Sequence, residues 1–275
     1  MSQNPLQQFF RQPKIYISLP SNGVFNQPGV IQGEASNMPV YGMTGMDEIL
    51  IKTPDALYSG ETTVKVIESC CPAIKNGWDV SNLDVDLILT AIRIATFGNL
   101  MEVEHVCPGC KTTNDYTLEL SKLIDHYTNC KFENKIVLKD LVIKIQPLNY
   151  KQLTEFSIKN AQLQQRIRQA DKIENDEERA TTMNALFKDI ALVQNEALAL
   201  SIESVEVGNT VVTERSYIVE WLENCDKIIF DSLKEHLNKN KVAWESPTHP
   251  VACPECGQES AITIEMDNAS FFASA

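Results

Sequence analysis

The period of apolar positions changes several times along the chain, and each change predicts an element. Alternation in IYISLPS (15–21) predicts a short strand that enters a turn at Ser21-Asn22-Gly23. A stretch rich in Gly, Pro and Asn runs on as a loop to about Ser36, and MPVYGM (38–43) reads as a second strand. Thr44 and Asp47 have the spacing of a helix N-cap and the acid that answers it. Residues 60–71, apolar at Val64, Ile67 and Cys71, predict a helix. Another starts near Asn82, carries Ile88, Ile92 and Ala95 on one face, and stops at Gly98.

Period two returns at Met101. MEVEHV (101–106) alternates, Cys107-Pro-Gly-Cys110 turns, and NDYTLEL (114–120) alternates again. The same device recurs near the other end: HPVA (249–252), Cys253-Pro-Glu-Cys256, then SAITIEM (260–266). Between Cys110 and Cys253 lie 142 residues. This insert opens with two short strands around Lys139-Asp140 (136–150). Leu153, Phe156, Leu163, Ile167 and Ala170 then form a heptad stripe with Asn160 at one core position. ENDEE (174–178) breaks the helix, and Met183, Leu186, Ile190, Val193, Ala197 and Leu200 make a second stripe. The pair predicts an αα-hairpin, either packed on its own domain or projecting to dock against copies or partners, with Asn160 fixing register in the second case. SIESVEVGNTVVTE (201–214) reads as a strand hairpin turning at Gly208-Asn209, followed by helices near 215–224 and 226–239.

The predicted class is α+β. It comprises a flexible N-terminal arm (1–14), a mixed α/β body (15–100), a ribbon split between 101–130 and 246–267, a mainly helical insert (131–245) and a C-terminal tail (268–275). Hydrophobic residues make up 43% and charged residues 22% of 275, the composition of a globular protein. No apolar run approaches the roughly 18 residues of a membrane span. The first 14 residues lack the apolar core of a secretory signal, so the expected compartment is a cytoplasm or a particle assembled there.

Charge narrows the partners. The chain carries 24 basic and 37 acidic residues, a net −13. Phosphate contacts need clustered Lys and Arg, and the two ribbon halves are acidic, so nucleic acid is disfavoured. A zinc-ribbon regulator that binds nucleic acid is the reading this argues against.

The two CxxC turns carry the most specific chemistry. Zinc prefers four tetrahedral ligands and suits thiolates, so Cys107, Cys110, Cys253 and Cys256 form a candidate structural Zn2+ site. The plainer alternative is two reduced thiol pairs or a redox pair. A thioredoxin-like CxxC opens a helix, whereas these turns sit between strand patterns. Four protein ligands leave no open position for water, so such a site is structural and not catalytic. His105 and His249 are the residues that could replace a cysteine. Cys70, Cys71, Cys130 and Cys225 read as core residues. The acids Asp84 and Asp86 read as carboxylates opposing a helix dipole. No phosphate loop, nucleophile elbow or HExxH motif occurs, and no small-molecule substrate is implied. Phe9-Phe10 and Phe271-Phe272 are adjacent aromatics near the two ends, and they read as docking arms that a partner buries.

The combination of SLPSNG (18–23), MTGMDEIL (43–50), LTAIRIATFG (89–98) and the CPGC knuckle that follows resembles the baseplate protein family of T-even-like, contractile-tailed bacteriophages, which includes a hub subunit. The resemblance covers about residues 15–150 and returns at the CPEC half. It implies a virion component of the tail baseplate, assembled in the host cytoplasm, with no enzymatic activity. The partners it implies are other baseplate and tail proteins, with self-association as an option. The insert departs most from the family pattern. The early segment also resembles phage tail-assembly chaperones, which leave before maturation.

Overall fold

The structure, a computed structural model, describes residues 4–52, 59–264 and 271–272. Among these are eight α-helices and ten strands, a mixed α/β chain. It divides into two compact units, residues 1–130 with 244–275 and residues 131–243.

The first unit begins with a short 3-10 turn, Pro5–Phe9, capped by the Asn4 side chain accepting from the Leu6 N–H. Strands β1 (Pro13–Ile17) and β2 (Met38–Tyr41) pair antiparallel and bury Ile17, Met38 and Val40. Helix α1 (Gly45–Ile51) opens with a reciprocal capping box. Thr44 accepts from the Asp47 N–H, and Asp47 accepts from the Thr44 N–H. Helices α2 (Glu61–Cys70) and α3 (Asn82–Phe97) follow. Helix α3 is the body's central element, with Leu87, Ile88, Ala91 and Ile92 fully buried. The chain end of β2 presses on it: a Cβ at Gly42 would lie 2.8 Å from the Ala95 carbonyl oxygen, so only glycine fits there.

Two parts of this unit differ from the sequence reading. Within the expected arm, Arg11 is anchored: it donates to the carbonyls of Gly42 (2.7 Å) and Ser69 (2.6 Å) and lies 3.5 Å from Asp47. Asp84 does more than oppose a dipole. It accepts from Ser21 N–H (3.0 Å), Ser21 Oγ (2.5 Å) and Asn26 Nδ2 (3.0 Å), which ties the SLPSNG turn to the start of α3. Burial still pushes this carboxyl above the ordinary aspartate value.

Strands β3 (Leu100–Val106) and β4 (Thr113–Glu119) form an antiparallel hairpin in full register from Leu100↔Glu119 to Val106↔Thr113. Helix α4 (Ser121–Asn129) follows and buries Leu123 and Tyr127.

In the second unit, β5 (Lys135–Leu138), β6 (Leu141–Ile145), β7 (Ile202–Val207) and β8 (Thr210–Val212) make one antiparallel sheet in that order. Between β6 and β7 the chain makes α5 (Tyr150–Ala170) and α6 (Asp176–Leu200). Asn149 and Gln152 close a capping box on α5, and Asn175 caps α6. Asp176, Glu177 and Glu178 of ENDEE therefore lie in the first turn of α6, where the dipole favours them. Helices α7 (Arg215–Asn224) and α8 (Lys227–Trp244) cover the sheet, and Ile143, Ile145, Ile202, Val205, Ile218, Leu222 and Leu233 form the core.

The α5–α6 hairpin has a separate small cluster of Leu163, Ala170 and Leu186, flanked by Ile167, Met183, Ile190 and Val193. Asn160 is exposed and lies outside this cluster. Lys159–Glu196 and Arg166–Asp189 bridge the two helices at the surface.

Strands β9 (Thr248–Ala252) and β10 (Glu259–Thr263) belong to the first unit and form a second isolated hairpin. Among the described residues no helix is long and apolar enough to cross a membrane.

Candidate metal centre

The two cysteine turns repeat one backbone geometry. In the first, Cys107 N–H donates to Thr112 O (2.9 Å) and Lys111 N–H to Cys107 O (3.0 Å). In the second, Cys253 N–H donates to Gln258 O (2.9 Å) and Gly257 N–H to Cys253 O (2.9 Å). Lys111 and Gly257 hold the equivalent place and both take positive φ, 63° and 72°. Glycine adopts this region freely, and lysine does so at a cost of roughly 1 kcal/mol.

The turns bring four sulfurs together. Cys107 Sγ lies 3.7 Å from Cys256 Sγ, and Cys110 Sγ lies 3.6 Å from Cys253 Sγ. All four are within 4.8 Å of one another. A tetrahedral ion with four Zn–S bonds of about 2.3 Å has S···S edges of about 3.8 Å. The two closest pairs match that edge, and the longest needs at most about 1 Å of contraction to meet it. Cys107 and Cys253 are buried, and Cys110 and Cys256 are exposed.

Four thiolates at this spacing repel unless a cation lies among them. The Thr112 hydroxyl and N–H pull Cys110 down to about 6. The backbone N–H groups of Cys110 and Gly109 pull Cys107 below the ordinary thiol value, against desolvation. Cys256 receives the Gln258 N–H, but Cys110, desolvation, Cys107 and Cys253 outweigh it and push this thiol up to about 11. A divalent cation among the four sulfurs would favour their thiolate forms and offset the repulsion between them.

Side chains around the sulfurs join the hairpins. Asn114 Nδ2 donates to Cys253 Sγ (3.5 Å), Tyr116 OH donates to Ala252 O (3.3 Å), and His105 Nε2 lies 3.1 Å from Ser260 Oγ. Neither His105 nor His249 enters the sulfur group. Cys70 and Cys71 are buried in the body, where burial pushes both thiols up, Cys70 to about 12. Cys130 Sγ lies 3.6 Å from His126 Nε2, and Cys225 Sγ lies 3.6 Å from Leu222 O.

A second tie was not read from the sequence. Tyr127, fully buried on α4, has its hydroxyl 2.7 Å from Ser246 Oγ, and His126 Nε2 lies 3.0 Å from Glu245 O. These contacts join the chain just before the insert to the chain just after it. Inside the second unit, Asn240 answers Glu133 twice, accepting from its N–H (2.9 Å) and donating to its carbonyl (3.0 Å). The sequence signal was the Leu123/Tyr127 spacing, one buried face of a helix that lies within the span assigned to the ribbon.

The aromatic pairs part company. Phe9 and Phe10 are 77% and 57% exposed. Phe271 and Phe272 are 1% and 2% exposed, so the tail pair is not an open arm. Their rings pack edge to face at 5.2 Å, and the Arg93 guanidinium lies 5.7 Å from the Phe271 centroid. Apolar burial on the chain's own body outcompetes exposure. Residues 268–270 and 273–275 of the expected tail lie outside the described residues.

Together the fold and site define a mixed α/β protein with a four-cysteine cluster able to hold a metal ion. Residues 44–273 match the family described as T4 bacteriophage base plate protein, and the chain belongs to that family. No curated protein and no solved structure matches the chain.

Proposed function

We propose that the chain is a non-enzymatic structural component of a bacteriophage tail baseplate, the hub or a subunit beside it. It takes part in tail assembly through contacts with other baseplate proteins and with its own copies. The family match over residues 44–273 is the observation that carries this reading. Its place is the virion tail. Phe9 and Phe10, held out from the anchored Arg11, are the partner-binding residues of this account.

Within the protein, Cys107, Cys110, Cys253 and Cys256 bind one structural zinc ion and form a split zinc ribbon. The sulfur spacing supports zinc, and the closed four-thiol set leaves no site for a reacting water. The ion clasps the two hairpins that flank the insert, and the insert is a protein-binding lobe. The acidic ribbon has little to offer a phosphate backbone.

Mass spectrometry of purified virions tests the functional reading. The chain is expected in mature particles at a fixed ratio to other tail proteins. Presence in infected cells with absence from virions would make it an assembly chaperone instead.

A further inference from the structure

Arg93 lies inward on α3 and is 2% exposed. Its Nε and Nη1 are buried without a hydrogen-bond partner among the described residues. Two rings accompany the guanidinium, Phe97 at 5.1 Å and Phe271 at 5.7 Å. Ring faces offset part of the cost of burying a cation, but they do not satisfy N–H donors. A buried charge lacking its counter-ion is among the least favourable arrangements in a fold, and an apolar side chain of the same length would serve packing better. Two buried donors without an acceptor among the described residues are what an incoming carboxylate would complete.

We propose that Arg93 is a carboxylate-binding site for a segment of a partner protein, one that sets an aromatic side chain beside a carboxylate. Phe271-Phe272 is the intramolecular cover that holds its place. The chemistry of the occupant follows from the site. A planar, permanently charged guanidinium with free donors selects a carboxylate. The Phe271 ring already occupies an aromatic-sized space over that cation. A polyanion is a poor fit, because nucleic acid needs several clustered cations and this chain is strongly acidic. The Phe271 and Phe272 rings pack edge to face at 5.2 Å, a contact that a competing aromatic would replace. This site is separate from the zinc cluster and from Phe9-Phe10, and its test does not depend on the baseplate reading.

The test opens the cover in the full chain with Phe271→Ala and Phe272→Ala and titrates N-acetylphenylalanine by calorimetry. N-acetylphenylalaninamide, which lacks the carboxylate, is the control. The acid is expected to bind at least tenfold more tightly than the amide, and adding Arg93→Met is expected to erase the difference. Equal affinity for the two probes, a preference that survives Arg93→Met, or no binding of either probe would overturn the proposal. Should the double variant not fold, Phe271→Ala alone carries the same titration. A second measurement is independent of any probe. Arg93→Met in the otherwise intact chain is expected to melt at or above the wild-type temperature. A fall of more than about 5 °C would assign Arg93 to holding the fold and refute a binding role.

Discussion

Replacing Cys253 with serine removes one thiolate from the proposed zinc site and separates what the ion does from what the fold does unaided. Closing a loop of 142 residues costs about 4.4 kcal/mol on the logarithmic scale, before any constant. Tyr127–Ser246 and Glu133–Asn240 already close nearly the same loop. With the Tyr127–Ser246 tie in place, the proposed zinc would close only 16 residues between Cys110 and Tyr127 and 6 between Ser246 and Cys253. That remainder costs about 2.7 kcal/mol. Structural zinc in small finger peptides is worth roughly 10–16 kcal/mol, far more than this closure. The β9–β10 hairpin has five-residue strands in a two-stranded sheet, which is marginal alone. Losing the ion should therefore unravel the ribbon and leave the insert folded. Native-state hydrogen exchange, read with zinc content, checks this. In Cys253→Ser, bound zinc falls well below one per chain. Amide protection in β9–β10 drops by on the order of a hundredfold or more, and protection in β5–β8, α7 and α8 changes by less than about threefold. Equal loss across both units would refute the local account. Unchanged zinc content and melting temperature would refute the site itself.

Tyr127→Phe removes the hydroxyl that meets Ser246 and should cost about 1 kcal/mol in chemical denaturation. Combined with Cys253→Ser it should cost more than the sum, because the insert's ends then lose the proposed zinc tie and the Tyr127–Ser246 tie together, leaving the His126–Glu245 contact. Lys111→Gly should gain up to about 1 kcal/mol, and Gly257→Ala should lose about as much, since both positions require positive φ and nothing else crowds Gly257. Burial pushes Asp86 up to about 6, so the folded state holds its proton more tightly than the unfolded chain does. The stability tied to that proton is present at low pH and fades as pH rises through about 6. Asp86→Asn should thus stabilise by roughly 1–3 kcal/mol at pH 8 and by little at pH 4, read from melts across that range.

Features set by short-range chemistry were legible in the sequence. The Thr44/Asp47 capping box, the Gly98 stop, both cysteine hairpins and the α5–α6 stripes each depend on residues a few positions apart. The four-sulfur group was legible despite its wide split, because each half carries its own strand–turn–strand signature. Long-range polar anchors were not. Asp84 finds Ser21 and Asn26, Arg11 finds Gly42 and Ser69, and Tyr127 finds Ser246, with no periodicity to announce any of them. Asn160 shows the limit of a stripe. Position 160 falls in the heptad, but a two-helix hairpin leaves part of each helix facing water. Phe271-Phe272 shows the opposite error, where a polar local context hid an aromatic pair that the body buries.

The zinc clasp is the central claim about how this chain is held together, and zinc K-edge X-ray absorption on the purified protein tests it most directly. The account predicts one zinc per chain with four sulfur neighbours at about 2.3 Å and no light-atom ligand in the first shell. A mixed sulfur and nitrogen or oxygen shell, or protein that folds and assembles with no bound zinc, would contradict it.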